Sequence, residues 1–153
     1  MANVSKHNWS TLPDWVEAHL ALYRTDPEKA RMWVAPVPGL PPVQTLLLTT
    51  VGAKSGQART LPLIYGESGG NFLIVASRGG SEDHPAWYRN LLAHPDCEIQ
   101  VGAKHYHVRA RTATSAERPA LWETMNEIWP SYAEYQSRTT REIPVVVLEP
   151  RQD

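Results

Sequence analysis

The sequence predicts a mainly β protein with helices (α+β): six antiparallel strands closed into a barrel, with N-terminal and inserted helices. Three observations carry that expectation. Short runs rich in Leu, Val, Ile and Thr begin near Val43 and recur to the C-terminus. Two pairs of these runs are joined by glycine-containing turns, and helix start signals precede the other apolar segments. An open sheet of this size would leave strand edges exposed, which closure into a barrel removes.

The first segment, residues 1–42, reads as helical followed by a proline-rich linker. Thr11-Leu-Pro-Asp14 has the form of a helix cap, and Val16, Leu20 and Tyr23 follow at helical spacing. Asp26-Pro27-Glu28 signals a second short helix with Pro27 in its first turn. Pro36-Val-Pro-Gly-Leu-Pro-Pro42 suits neither helix nor interior strand.

Residues 43–153 form the strand domain. Thr45–Val51 is its first strand. Arg59–Tyr65 and Phe72–Ser77 flank Gly66-Glu-Ser-Gly-Gly70, read as a hairpin turn. Glu98–Val101 and His105–Thr112 flank Gly102-Ala-Lys104 in a second hairpin, and Ile143–Glu149 is a final apolar strand. Pro85–Ala93 is an inserted helix. Thr114-Ser-Ala-Glu117 is a capping box ahead of Leu121, Met125 and Ile128; Pro119 should remove one hydrogen bond near that helix's start, and Pro130 ends it. Ser131-Tyr-Ala-Glu134 reads as a further capping box for a helix to about Arg138.

Composition narrows the function classes. A chain of 153 residues with 42% apolar and 20% charged residues is sized and balanced for one folded domain. A formal net charge of −1 gives no nucleic-acid signature. No apolar run reaches the roughly 20 residues of a membrane span, and the first residues lack a secretory layout, so a cytoplasmic protein is expected. Peripheral membrane association and a homodimer stay open. The single Cys97 excludes an internal disulfide. No dinucleotide, phosphate-loop or zinc spacing occurs. His105 and His107 share a strand face, but without a third ligand an exposed polar edge is the better reading.

Two constellations remain. Lys54-Ser-Gly56, Arg59 and Ser77-Arg78-Gly-Gly80 stand at strand ends; if the second and third strands pair across their hairpin, Arg59 and Ser77–Arg78 share one open end. Turn glycines and three cations there would suit an anion, although solvated surface charge is the commoner fate of such residues. Trp87, Tyr88 and Asn90 begin the inserted helix after a Gly-Gly loop, and Trp129, Tyr132 and Tyr135 recur every three residues across a helix break. On residues alone, a pocket wall for a flat ligand and core packing are equally good accounts of both sets.

The motifs Leu48-Thr-Thr-Val-Gly-Ala-Lys-Ser-Gly-Gln-Ala-Arg59, Pro62-Leu-Ile-Tyr65, Ala76-Ser-Arg-Gly-Gly80, His84-Pro-Ala-Trp-Tyr-Arg-Asn-Leu91 and Pro130-Ser-Tyr-Ala-Glu-Tyr-Gln136 resemble, in order, the deazaflavin (coenzyme F420)-dependent nitroreductase and quinone reductase family. Arg138-Thr-Thr-Arg-Glu-Ile-Pro-Val-Val-Val147 is similar to that family's last strand. The resemblance runs from about residue 43 to the C-terminus. It implies a split β-barrel of the flavin-mononucleotide-binding type and hydride transfer from reduced coenzyme F420 to a quinone, nitro compound or other electron-poor acceptor. It further implies that Lys54, Ser55 and Arg59 hold the coenzyme's phosphate and acidic tail. Thr60, Leu61, Pro62, Leu63, Ile64 and Tyr65 would surround the ring and ribityl chain, together with Val75, Ala76, Ser77 and Arg78 and with Ala86, Trp87, Tyr88, Arg89 and Asn90. Tyr132 would stand beside the ring, and Ser77, Tyr132 and Tyr135 would act toward the acceptor. The chain departs from the family at Ala53, where Arg or Lys is usual, at Arg78 in place of Lys, and at Trp129, where some relatives have Tyr. A flavin-mononucleotide (FMN) oxidoreductase and a non-catalytic carrier are the alternatives.

Overall fold

The computed structural model describes residues 14–34, 39 and 41–151. The chain begins with helices α1 (Asp14–Thr25) and α2 (Pro27–Arg31), then strand β1 (Met32–Trp33). Asp26 caps α2, accepting a hydrogen bond from the Lys29 amide at 3.3 Å. The Thr11 cap and most of the Pro36–Pro42 linker lie outside the described residues. Next come β2 (Val43–Val51), β3 (Ala58–Ile64), β4 (Gly66–Ser68) and β5 (Asn71–Val75), then a single 3-10 turn at Arg78–Gly80. Helix α3 (Ala86–Ala93), β6 (Asp96–Val101), β7 (Lys104–Thr112), α4 (Arg118–Ile128), α5 (Ser131–Ser137) and β8 (Val145–Pro150) complete the fold.

The strands form one eight-stranded antiparallel sheet in the order β1-β2-β6-β7-β8-β5-β4, with β3 pairing to β2 alone. The expected six strands are therefore joined by β1 and β4. β1 has two residues, too few to show alternation. β4 was hidden because Gly66-Glu-Ser68 has turn composition, and the turn proper is Gly69-Gly70, with φ of 59° and 83°. Both values suit a two-residue hairpin turn.

That shift changes the topology. Arg59–Tyr65 and Phe72–Ser77 do not pair as expected: β3 is bonded along β2 from Thr45↔Ile64 to Val51↔Ala58, while β5 pairs with β4 and β8. After β3 the chain leaves its partner β2 at Tyr65 and joins the other margin of the sheet, so the barrel is split between β3 and β5. Pro62 is compatible with this, since a proline within a strand belongs on an edge.

β5 and β8 are buried on both faces. Phe72 and Ile74 pack with Leu46, Leu48, Ile99 and α3 residues Trp87 and Tyr88, while Leu73 and Val75 pack with Leu121, Met125 and Tyr132 from α4 and α5. Double burial explains the unbroken apolar run at the C-terminus, where a half-exposed strand would alternate.

Smaller expectations are corrected locally. Ser131 does not cap α5; Pro130 occupies that place without a side-chain bond, and Glu134 pairs with Arg138 at 2.8 Å. The Thr114–Glu117 contacts do form, at 3.3 Å to the Glu117 amide. Pro119 lies in the first turn of α4, where its missing N–H was unpaired in any case. His105 and His107 are exposed, on the part of β7 that extends beyond its register with β8.

Candidate active site

The split opens a cleft of about 330 Å³. Its floor and first wall are Pro62, Leu63 and Ile64 of β3; facing them are Val75, Ser77 and Gly79 at the end of β5. Trp129, Tyr132 and Tyr135 close one side, and His19 and Trp33 the other. The two aromatic sides meet: the Trp33 and Trp129 rings are 6.2 Å apart, tilted by 38°. Trp129 Nε1 donates to the Tyr135 hydroxyl at 3.4 Å, and the Tyr135 and Tyr132 rings meet edge-on at 6.1 Å. Tyr132 and Tyr135 share a face because they are one turn apart on α5.

Tyr132 is 5% exposed, and its hydroxyl makes no hydrogen bond among the described residues. Burial, reinforced by neighbouring Tyr135, pushes its pKa above the ordinary tyrosine value, so it remains a proton-bearing donor at neutral pH. His19 is 6% exposed, with Nε2 2.9 Å from the Ala30 carbonyl and 3.1 Å from Thr45 Oγ1. A carbonyl only accepts, so Nε2 carries the proton. Burial lowers the His19 pKa below its usual 6.5, which keeps the ring neutral.

Ser77 lies on a turn of unusual backbone. Arg78, Gly79 and Gly80 are all left-handed, with φ of 44°, 63° and 85°. At Gly80 a Cβ would stand 2.6 Å from the Tyr135 carbonyl oxygen, so the turn is pressed against α5. From the loop before β8, Arg141 donates to the Ser77 carbonyl at 2.9 Å and to the Ser81 carbonyl at 2.7 Å. Arg78 lies 4.0 Å from Asp83.

The basic end lies apart from the cleft. Lys54, Ser55 and Arg59 are exposed on the β2–β3 connection and the first residues of β3. Arg59 is five residues from Ile64 along β3, about 16 Å at roughly 3.3 Å per residue. The connection is anchored by buried Asn90, which accepts from the Ala53 amide at 3.0 Å and donates to Thr50 Oγ1 at 3.1 Å.

Of the residues singled out from sequence, the structure thus brings Pro62, Leu63, Ile64, Val75, Ser77, Trp129, Tyr132 and Tyr135 to one cleft. Others lie elsewhere. Tyr65, Ala76, Trp87 and Tyr88 are in the core; Tyr65 bonds Gln44 at 3.2 Å and Tyr88 bonds Thr112 at 2.7 Å. Thr60 pairs with Thr49 at 2.7 Å, Leu61 packs against the core, and Ala86 and Arg89 are exposed. His19, Trp33 and Arg141 escaped the sequence reading. The first two belong to the segment outside the resemblance, and no local pattern marks them. Arg141 had a signal, its place within the matching Arg138–Val147 motif. Burial, helped by Asp96 and Glu98, pushes the Cys97 thiol up to about 12, which disfavours its thiolate form.

The profile of the F420H(2)-dependent quinone reductase family matches residues 15–150. An F420H(2)-dependent quinone reductase of Mycobacterium tuberculosis is 48% identical over 118 residues, covering 75% of this chain and 78% of that one. Among solved structures, an F420-H2 dependent reductase is 43% identical with a TM-score of 0.64, covering 69% of this chain and 93% of that chain. Another, described as a domain-swapped dimer, is 36% identical with a TM-score of 0.66, covering 87% of this chain and 95% of that chain. A barrel split at the β3 edge, an aromatic cleft at that split and this level of identity agree: the chain belongs to the F420H(2)-dependent quinone reductase family.

Proposed function

We propose that the protein is an F420H(2)-dependent reductase of quinones and related electron-poor acceptors, with the deazaflavin ring in the cleft and its anionic tail running along β3 toward Arg59 and Lys54. One observation carries this reading. An apolar, aromatic cleft and an exposed basic end lie on the same edge strand, with Arg59 about 10 Å from Pro62 and about 16 Å from Ile64 by strand rise. That layout suits a ligand with a flat head and a long, negatively charged tail. A single short phosphate would not span it.

When bound, the coenzyme supplies the hydride. The protein's contribution is placement, exclusion of water and charge stabilisation. Pro62, Leu63, Ile64 and Val75 offer an apolar bed for a ring face. Ser77 and Tyr132 line the cleft, and a hydroxyl donor there could meet negative charge developing on an acceptor oxygen. The high pKa of Tyr132 fits it for hydrogen bonding more than for full proton release. Trp33, Trp129 and Tyr135 wall the acceptor side, favouring flat, apolar molecules.

Fluorescence titration with coenzyme F420 and with FMN tests the assignment. Tighter binding of coenzyme F420 is expected, followed by quinone-dependent oxidation of its reduced form in stopped flow. Preference for FMN would overturn the cofactor assignment, and binding without turnover would make the protein a carrier.

A further inference from the structure

Arg141 is joined to four groups across the loop between β5 and α3. Besides the carbonyls of Ser77 and Ser81, its Nη1 lies 3.3 Å from the Ala76 carbonyl oxygen and 3.1 Å from His84 Nδ1. A guanidinium can only donate. His84 Nδ1 must therefore accept, which requires a neutral ring with its proton on Nε2. The loop so held contains three successive left-handed residues, and one of them, Arg78, is not glycine. A side-chain-bearing residue at φ 44° needs its surroundings to keep it there. Those surroundings are the α5 backbone over Gly80 on one side and Arg141 on the other.

We infer that Arg141 is the positioning residue that fixes the Ser77 turn at the cleft, and that its hold is strongest while His84 is neutral. Protonating His84 would replace the accepting lone pair with a second donor and set two cations 3.1 Å apart. The groups around His84 favour the neutral state. Arg141 faces it from the loop before β8 and Arg89 from α3; Asp83 beside it opposes them, and the Tyr88 ring lies 4.8 Å away. Arg141 in turn faces Arg78 and Asp83. Burial, then the two guanidinium groups, lower the His84 pKa below 6.5. The clamp is therefore closed at neutral pH and loosens as pH falls through the His84 titration. Its effect on coenzyme binding rests on the function proposed above; its effect on His84 does not.

The test compares wild type with Arg141→Lys, Arg141→Met and His84→Asn, each well below its melting temperature. Coenzyme F420 affinity is read by fluorescence from pH 7.5 to 5, and the His84 ring is titrated by NMR without coenzyme. Lysine keeps the charge but loses the fork, so Arg141→Lys should weaken binding about tenfold at pH 7.5 although the protein is folded. Wild-type affinity should fall toward pH 5, whereas His84→Asn, whose amide oxygen accepts at every pH, should lose that fall. Using one coenzyme throughout cancels its own ionisation. In Arg141→Met the His84 pKa should rise. Wild-type affinity in Arg141→Lys, an unchanged acid fall in His84→Asn, or an unmoved His84 titration in Arg141→Met would each overturn the inference. If the wild-type protein does not bind the coenzyme, the proposed function fails and the NMR titration alone decides the clamp.

Discussion

Asn90 offers a sharp test because the family resemblance places it around the coenzyme, whereas the structure makes it a bridge inside the protein. Its side chain is 8% exposed and joins Thr50, 1% exposed, to the Ala53 amide. Asn90→Ala removes both bonds. The orphaned Thr50 hydroxyl should cost about 1–3 kcal/mol, since no solvent reaches it, and the more accessible Ala53 amide about 1 kcal/mol. A loss near 3 kcal/mol corresponds to a melting temperature lowered by about 6–12 °C for a chain of this size. The released connection carries Lys54 and Ser55, so coenzyme affinity should fall in the same variant. Thr50→Val supplies the companion measurement: it strips the same bridge from its far end and leaves Asn90 in place. Thermal melts and coenzyme titrations on both variants decide the matter. If Asn90→Ala melts like wild type yet loses coenzyme, while Thr50→Val binds normally, the bridge account is wrong and Asn90 touches the ligand directly.

Three further outcomes are expected. Coenzyme affinity should fall as salt rises, because exposed cation–anion contacts are screened over about 8 Å at physiological ionic strength, and Lys54→Ala should flatten that dependence; an unchanged salt slope in the variant would make Lys54 a bystander. Tyr135→Ala should impair acceptor turnover while sparing coenzyme affinity, and Tyr132→Phe should lower turnover by about 10²-fold or more if its hydroxyl acts as a donor; a stability loss accounting for the whole effect would assign both residues to packing. His19 and His84 are held below their ordinary pKa by burial, so the folded state binds fewer protons than the unfolded chain. Stability is then full above about pH 6.5 and declines as pH falls toward the folded values, a decline that His19→Gln combined with His84→Gln should reduce. Denaturant melts between pH 7.5 and 5 check this, and an identical decline in the double variant would refute it.

The parts legible in the sequence are those written in short-range patterns. Gly102-Ala103 marks its hairpin because a tight turn needs left-handed backbone; the helices at Pro27 and Arg118 announce themselves through capping residues, and that at Ala86 through the Gly-Gly loop before it and His94-Pro95 after it. The ordered motifs from Leu48 to Val147 pointed to the family, and the Tyr132–Tyr135 pair was foreseeable from a one-turn separation on a helix. The split was not legible. Whether β3 bonds β2 or β5 depends on which distant edge is free after β4 has taken the margin of β5, and no residue of β3 encodes that choice locally. The same holds for His19 and Trp33, which the packing of α1 and β1 brings to a cleft formed by strands far along the chain. It holds for Arg141 too, whose donors reach carbonyls sixty residues or more away in sequence. Sequence determines local conformation through neighbours three or four positions apart; the cleft exists only where segments without such neighbours are packed together.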